Sequence, residues 1–275
     1  MAEDKGPKLQ ELFEKEKKRF GTAVNAAIAV SKAAAGRAPK RNVVMGSYVF
    51  TRMCVCAETL NYLLQRTISG ELTLDHYSMG VMARNIIEAG LMFHYLMEDG
   101  VSEDEWALRS DALDLHDVLI KLQLFKSLGD EKEHKAYREL MEEKRAKIRE
   151  NGVFKCFDAQ QREKLLGGGE AYLKGMRSTL KLVSLETKYF NGMYPYLSSQ
   201  VHVLPSSFYF THERLSFGKP GSYQYYFAAY SLAHARMVLT RSTKRLADSD
   251  EAVRKKVDDD VYKSVSELAE IPFGE

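Results

Sequence analysis

Apolar positions recur along this chain at three- and four-residue spacing almost from end to end, the period of an amphipathic helix rather than the alternation of a strand. Residues 8–35 read as a first helix, charged where it begins and alanine-rich where it ends ("AVNAAIAVSKAAAG"). Proline in "RAPKRN" interrupts the pattern, and a second helix covers about 42–68. "ISGELT" ends it, and Asp75 or Ser78 is placed to cap a third. "SEDE" sets Ser102 three residues before Glu105, a capping-box spacing, so a further helix runs from Trp106 to about Leu128.

"GDEKEHKAYRELMEEKRAKIRE" is a strongly charged, solvent-exposed helix, and a short one over 158–166 stops at "GGG". Another covers about 185–201, and 203–221 is the longest irregular segment, rich in aromatics. A final pair spans 222–247 and 250–269. There is no internal repeat and no strand pair. The expected fold class is all-α: a single-domain helical bundle over residues 1–275 with about eight to ten helices. Its core is expected at about 42–247, a charged helical hairpin near 128–166 lies at the edge, and the helices at 8–35 and 250–269 are peripheral.

The third helix holds the first chemical anomaly. "ARNIIEAGLMFHYLM", residues 83–97, is apolar almost all round, yet it carries Arg84, Glu88 and His94. At about 100° per residue Arg84 and Glu88 share one face and His94 lies off it. An unpaired buried charge costs several kcal/mol, roughly, so both need partners. Either they pair with each other at i,i+4 and tie the helix to its neighbours, or they line a polar pocket that a ligand or reaction uses. On the second helix Thr51, Glu58 and Gln65 recur at sevens, and Glu58 is expected to face Arg84 and Glu88 if the two helices are antiparallel neighbours.

Charge narrows the classes. Forty Lys plus Arg against 38 Asp plus Glu give +2, so no global field draws the chain to nucleic acid or a lipid surface. The three cysteines, Cys54, Cys56 and Cys156, lack metal or disulfide spacing and suit a reducing compartment. The N-terminus has no signal-peptide pattern and no uncharged apolar run of membrane length is present, so a cytoplasmic protein without a membrane partner is expected.

A second motif is "YPYLSSQVH", residues 194–202, in which Ser199 and His202 stand at i,i+3 with Tyr196 on an adjoining turn. A hydroxyl beside an imidazole suits nucleophilic or acid–base chemistry, and it also describes any satisfied polar helix end. Together, "RNIIE" (Arg84, Glu88) and "YLSSQVH" (Tyr196, Ser199, His202), with Trp106 and Arg109 between them, resemble a large bacterial all-helical family catalogued only as a domain of unknown function. The resemblance spans about 45–240. "VLPSS" follows His202 where that family often has small Gly or Ser residues. The family lends no activity; the resemblance implies that Arg84, Glu88, Tyr196, Ser199 and His202 converge on one site.

Three functions compete. A metal-independent ribonuclease resembling the HEPN superfamily would use an Arg-x(4–6)-His pair; "RSDALDLH" supplies Arg109 and His116, with Ser110 where that superfamily carries Asn or Asp, and Arg84 with His202 is the better pair. A bundle-core metal site would need Glu58, Glu88 and His202, with Arg84 opposing a cation, so no metal and no cofactor are expected. The third is a ligand sensor or interaction module. There the loop 203–221 and "SYQYYFAAY" (Tyr223, Tyr225, Tyr226, Phe227, Tyr230) frame a pocket or a homodimer surface. "GGGEAYLKG" lacks the ending of a phosphate loop, and neither G-x-S-x-G nor H-E-x-x-H occurs. The expected reading is a buried Arg/Glu/Ser/His site for a small anionic ligand or RNA. Arg84 and His202 take catalytic roles in the nuclease alternative, while Glu88, Tyr196, Ser199 and Glu58 bind.

Overall fold

Local signals set the helix ends. In the computed structural model, which describes residues 6–37, 40–68, 74–202, 204–205 and 220–274, the Asp75 carboxylate accepts from the backbone N–H groups of Tyr77 and Ser78. It thereby caps α3 (His76–Leu96), after α1 (Gly6–Ala34) and α2 (Arg41–Ile68). Ser102 accepts from Glu105 N and starts α4 (Glu103–Leu128), which left-handed Gly129 closes. Asp130 caps α5 (Glu131–Glu150), Asn151 caps the short α6 (Gly152–Lys155), and Asp158 with Gln161 forms a full capping box on α7 (Ala159–Leu166). A 3₁₀ helix at Met176–Val183 leads to α8 (Thr187–Val201), then α9 (Ser222–Ala247), α10 (Glu251–Arg254) and α11 (Asp259–Glu270). The chain is all-α among the described residues, with ten elements of seven residues or longer. Most of the aromatic segment expected at 203–221 lies outside those residues, as does "SGELT".

The helix expected over 250–269 is two helices. Asp258 accepts from Asp260 N and Val261 N and so begins a new one, while Arg254 reaches across the break to the Asp259 carboxylate at 2.8 Å.

Two compact units divide the chain: Met1–Met97 with Lys181–Glu275, and Glu98–Leu180. In the first, α1, α2, α3 and α9 form a four-helix ring, each packed on the next. Phe50 meets Phe93 and Cys56 Sγ reaches Met82 O, so α2 and α3 run antiparallel. Gln224 Nε2 bonds Leu74 O, and Arg245 donates to Met97 O, so α3 and α9 run parallel. The first helix is not peripheral. Phe20, Ala23, Val24, Ala27 and Val30 sit in the core because their three- and four-residue spacing builds one continuous apolar face behind the charged surface. The last helix also buries Val265, Leu268 and Ala269.

Outward, α2 exposes Thr51, Glu58 and Gln65 together with Tyr48, Val55 and Tyr62. By length and composition α2 is apolar enough to cross a membrane, and its Met53, Ala57, Leu60 and Leu64 pack into the ring.

The second unit gathers Leu108, Ala112, Leu115, Ile148, Phe154 and Leu165 into its own small core. Only Ile148 of α5 is buried, in keeping with that helix's charge. Lys144 ties α5 to Asp111 and Asp114 of α4.

Candidate functional site

Helix α8 lies along α3 by one apolar-and-polar seam. Phe190, Met193, Leu197 and Gln200 form its buried stripe, and a Cβ on Gly80 would touch Leu197 and Gln200. One turn further along α3, Arg84 Nε donates to Glu88 Oε1 at 2.9 Å and Arg84 Nη2 donates to the Tyr194 hydroxyl at 3.2 Å. Tyr194 in turn donates to the same Glu88 oxygen at 2.5 Å, and the guanidinium stands 5.0 Å from the Tyr194 ring centre. Arg84 and Glu88 therefore satisfy each other at i,i+4, and Tyr194 closes the triangle. Burial lowers the Arg84 pKa but the bonds to Glu88 and Tyr194 outweigh it, while burial and then Glu88 push the Tyr194 phenol up. The triangle clasps α3 to α8.

The other candidates part company. Glu58 is exposed on the solvent face of α2. That helix turns its Met53, Ala57, Leu60 face inward, so Glu58 does not meet Arg84; its charge adds to the burial that raises the Cys54 thiol to about 12. His202 is exposed at the C-cap of α8. It lies two residues past Gln200, about 200° round the helix from the stripe that faces α3. Ser199 is buried, but its hydroxyl donates to Tyr196 O at 2.7 Å within its own helix. No Ser199–His202 pair forms. Arg109 is held by Glu98 at 2.7 Å and Glu105 at 2.5 Å, and His116 Nδ1 by Gly168 O at 2.7 Å, so the literal Arg-x(6)-His match serves packing of the second unit. Near the end of α9 Lys244 pairs with Asp248, and on α10 Arg254 lies 3.8 Å over the Tyr262 ring. Among the described residues no three His, Cys, Asp or Glu side chains converge as metal ligands.

A different cluster forms around Tyr196. Its ring stacks on Phe227 of α9 at 4.5 Å and stands edge-on to Tyr230 at 6.2 Å. Phe227 meets Tyr223 at 4.3 Å, and Tyr223 meets His76 edge-on at 5.7 Å. The Tyr196 hydroxyl, both ring nitrogens of His76 and Gln200 Oε1 are buried and, among the described residues, have no hydrogen-bond partner. Gln200 Nε2 donates to Tyr196 O and Ser199 Oγ, at 3.1 and 2.9 Å. Burial lowers His76 to about 4, against the pull of Asp75, and burial raises the Tyr196 phenol, with Tyr223, Tyr77 and Tyr230 adding to the rise. At neutral pH the His76 imidazole and the Tyr196 phenol are therefore uncharged. A lone histidine behind a helix cap and a glutamine beside Ser199 carried no spacing signal, so Tyr194, His76 and Gln200 were not legible as partners.

The fold is that of an all-α helical-bundle protein, with buried polar atoms on α3 and α8 beside aromatic rings at the start of α9. The chain belongs to the family of unknown function DUF5677, whose model matches residues 43–219, well over half of its length. The match takes in α3 and α8, with Arg84, Glu88, His76, Tyr196 and Gln200, and stops short of α9. No curated protein and no solved structure matches it.

Proposed function

We propose that this protein is a ligand-binding helical module, a sensor or interaction protein, whose site is the aromatic shell around Tyr196. One observation carries the reading: four buried polar atoms of Tyr196, His76 and Gln200 have no partner among the described residues. A buried polar group without a hydrogen bond costs about 1–3 kcal/mol, and a bound molecule removes that cost. Neutral imidazole and phenol each donate and accept, and the amide oxygen accepts. The ligand is therefore a small, neutral, flat molecule with adjacent donors and acceptors. An anion is the poorer fit, because Arg84 already has Glu88 and Tyr194 as partners.

The nuclease alternative requires Arg84 and His202 at one phosphate, and the exposed His202 and occupied Arg84 do not favour it. Thermal-shift and calorimetric titration with uracil, adenine and nicotinamide, set against inorganic phosphate and AMP, tests the proposal. Neutral compounds are expected to stabilise the protein at millimolar concentration and to lose that effect in Tyr196→Phe. Stabilisation by phosphate that depends on Arg84 would overturn it. So would EDTA-resistant RNA cleavage that vanishes in His202→Ala.

A further inference from the structure

Tyr230 has a second neighbourhood. A cavity of about 400 Å³ opens between α9, the start of α8 and the segment that follows α11. That volume falls within the range of small-molecule sites. Four aromatic side chains wall it: Tyr189, Tyr226, Tyr230 and Phe273. Phe273 stands edge-on to Tyr226 at 5.8 Å and to Tyr230 at 5.2 Å. His234 also lines it and is only 4% exposed, with its ring 4.3 Å from that of Tyr230. His234 Nδ1 lies 2.7 Å from Tyr230 O. A carbonyl only accepts, so in the neutral ring Nδ1 carries the proton and Nε2 keeps its lone pair as an acceptor.

The charges of the lining are lopsided. Arg241 donates from Nη1 to Val183 O and Ser184 O, both at 3.0 Å, and from Nε to Ala269 O at 3.3 Å. Those bonds hold Ser184, itself a lining residue, at φ +52°, a conformation that non-glycine residues rarely keep without support. Glu270 faces the same guanidinium. Glu186 also lines the cavity, and although it stands at the N-cap of α8 its carboxylate makes no capping bond. Two carboxylates against one guanidinium leave the lining net negative, while the buried imidazole is kept neutral.

We propose that this cavity binds a small organic ammonium ion of arylalkylamine size. The ring faces attract the cation, His234 Nε2 accepts an ammonium N–H, and Glu186 and Glu270 balance its charge. A carboxylate ligand would meet those two carboxylates, with Nε and Nη1 of Arg241 already directed at backbone carbonyls. This site goes beyond the one around Tyr196 and differs from it in walls and in ligand charge.

Calorimetric titration of the full-length protein with tyramine, its neutral counterpart 4-ethylphenol and its anionic counterpart 4-hydroxyphenylacetate tests the proposal. Tyramine is expected to bind in the micromolar-to-millimolar range, with the neutral phenol at least about tenfold weaker and the anion weaker still. Glu186 and Glu270 are both exposed. Their Gln variants therefore fold, and each is expected to weaken tyramine by about two- to fivefold. Binding of the anion as tight as that of tyramine would overturn the proposal. So would unchanged tyramine affinity in a folded Glu186→Gln/Glu270→Gln double variant, or absence of binding by tyramine, phenethylamine and spermidine alike.

Discussion

Glu16 and Arg236 meet in the core at 3.0 Å, Oε2 to Nε, with neither side chain exposed at all and 220 positions between them in sequence. The same guanidinium donates to Leu268 O at 2.5 Å and Ile271 O at 3.0 Å, so one arginine joins α1, α9 and the chain that follows α11. Burial lowers the Arg236 pKa, and the Glu16 carboxylate opposes that shift.

Removing Glu16 leaves Arg236 as an uncompensated buried charge, whereas Glu16 itself also pairs with Arg19 at 2.7 Å. Glu16→Leu is expected to cost about 3–5 kcal/mol. Adding Arg236→Met returns only part of that, because the Leu268 and Ile271 carbonyls lose their donors at roughly 1–3 kcal/mol each. Urea unfolding of the two variants measures this; a loss below about 1 kcal/mol in Glu16→Leu would contradict the account.

The Arg84–Glu88–Tyr194 clasp should matter far less. Glu88 is 36% exposed at its side chain and Arg84 17%, so solvent screens the pair. Tyr194→Phe and Arg84→Ala are each expected to cost about 1 kcal/mol or less, with the Arg84 effect shrinking as salt rises. A cost of several kcal/mol for either variant would assign the clasp a place in the core.

Tyr196→Phe removes a buried hydroxyl that has no partner among the described residues. Stability is expected to stay level or to rise by up to about 1 kcal/mol, a melting shift of roughly 2–4 °C, while binding at that shell is lost. A destabilised variant would place an unrecognised acceptor beside the ring.

Acid should unfold the protein early. Burial lowers His76 and His94 from 6.5 to about 4, and for His94 the Arg245 and Arg241 charges push the same way. Between those pH values the unfolded chain takes up protons that the folded rings refuse. This contribution to stability is complete above pH 6.5 and falls as the pH drops toward 4, by up to about 3 kcal/mol for each ring. Urea midpoints measured across that window should fall steeply, and His94→Gln should flatten the slope.

Gly90 lies where α3 meets α9. A Cβ there would run into Val238 Cγ1, a stiff β-branched side chain on α9. Gly90→Ala is expected to cost about 1–3 kcal/mol through overpacking despite its better helix propensity, and thermal unfolding would show it. A stabilised variant would mean that the two helices separate easily.

Helix positions were largely legible beforehand. Ser102 caps where its spacing places it, and Asp75 rather than Ser78 caps α3, since a cap is settled within about four residues. The i,i+4 pairing of Arg84 and Glu88 was legible for the same reason. Convergence with His202 and Glu58 failed on helix rotation: one residue of offset is about 100°, and Gln200 took the inward place beside α3 while His202 turned out.

By itself the sequence determined an all-α chain, most of its helix boundaries and the Arg84–Glu88 pair, because those depend on a 3.6-residue period and on contacts within one turn. Only the tertiary structure decided that Tyr194 closes the Arg84–Glu88 triangle, that Glu16 finds Arg236, and that His76, Tyr196 and Gln200 share one shell. Those meetings depend on which face each helix turns to which neighbour. That choice is made by packing summed over the whole core, and no short spacing records it.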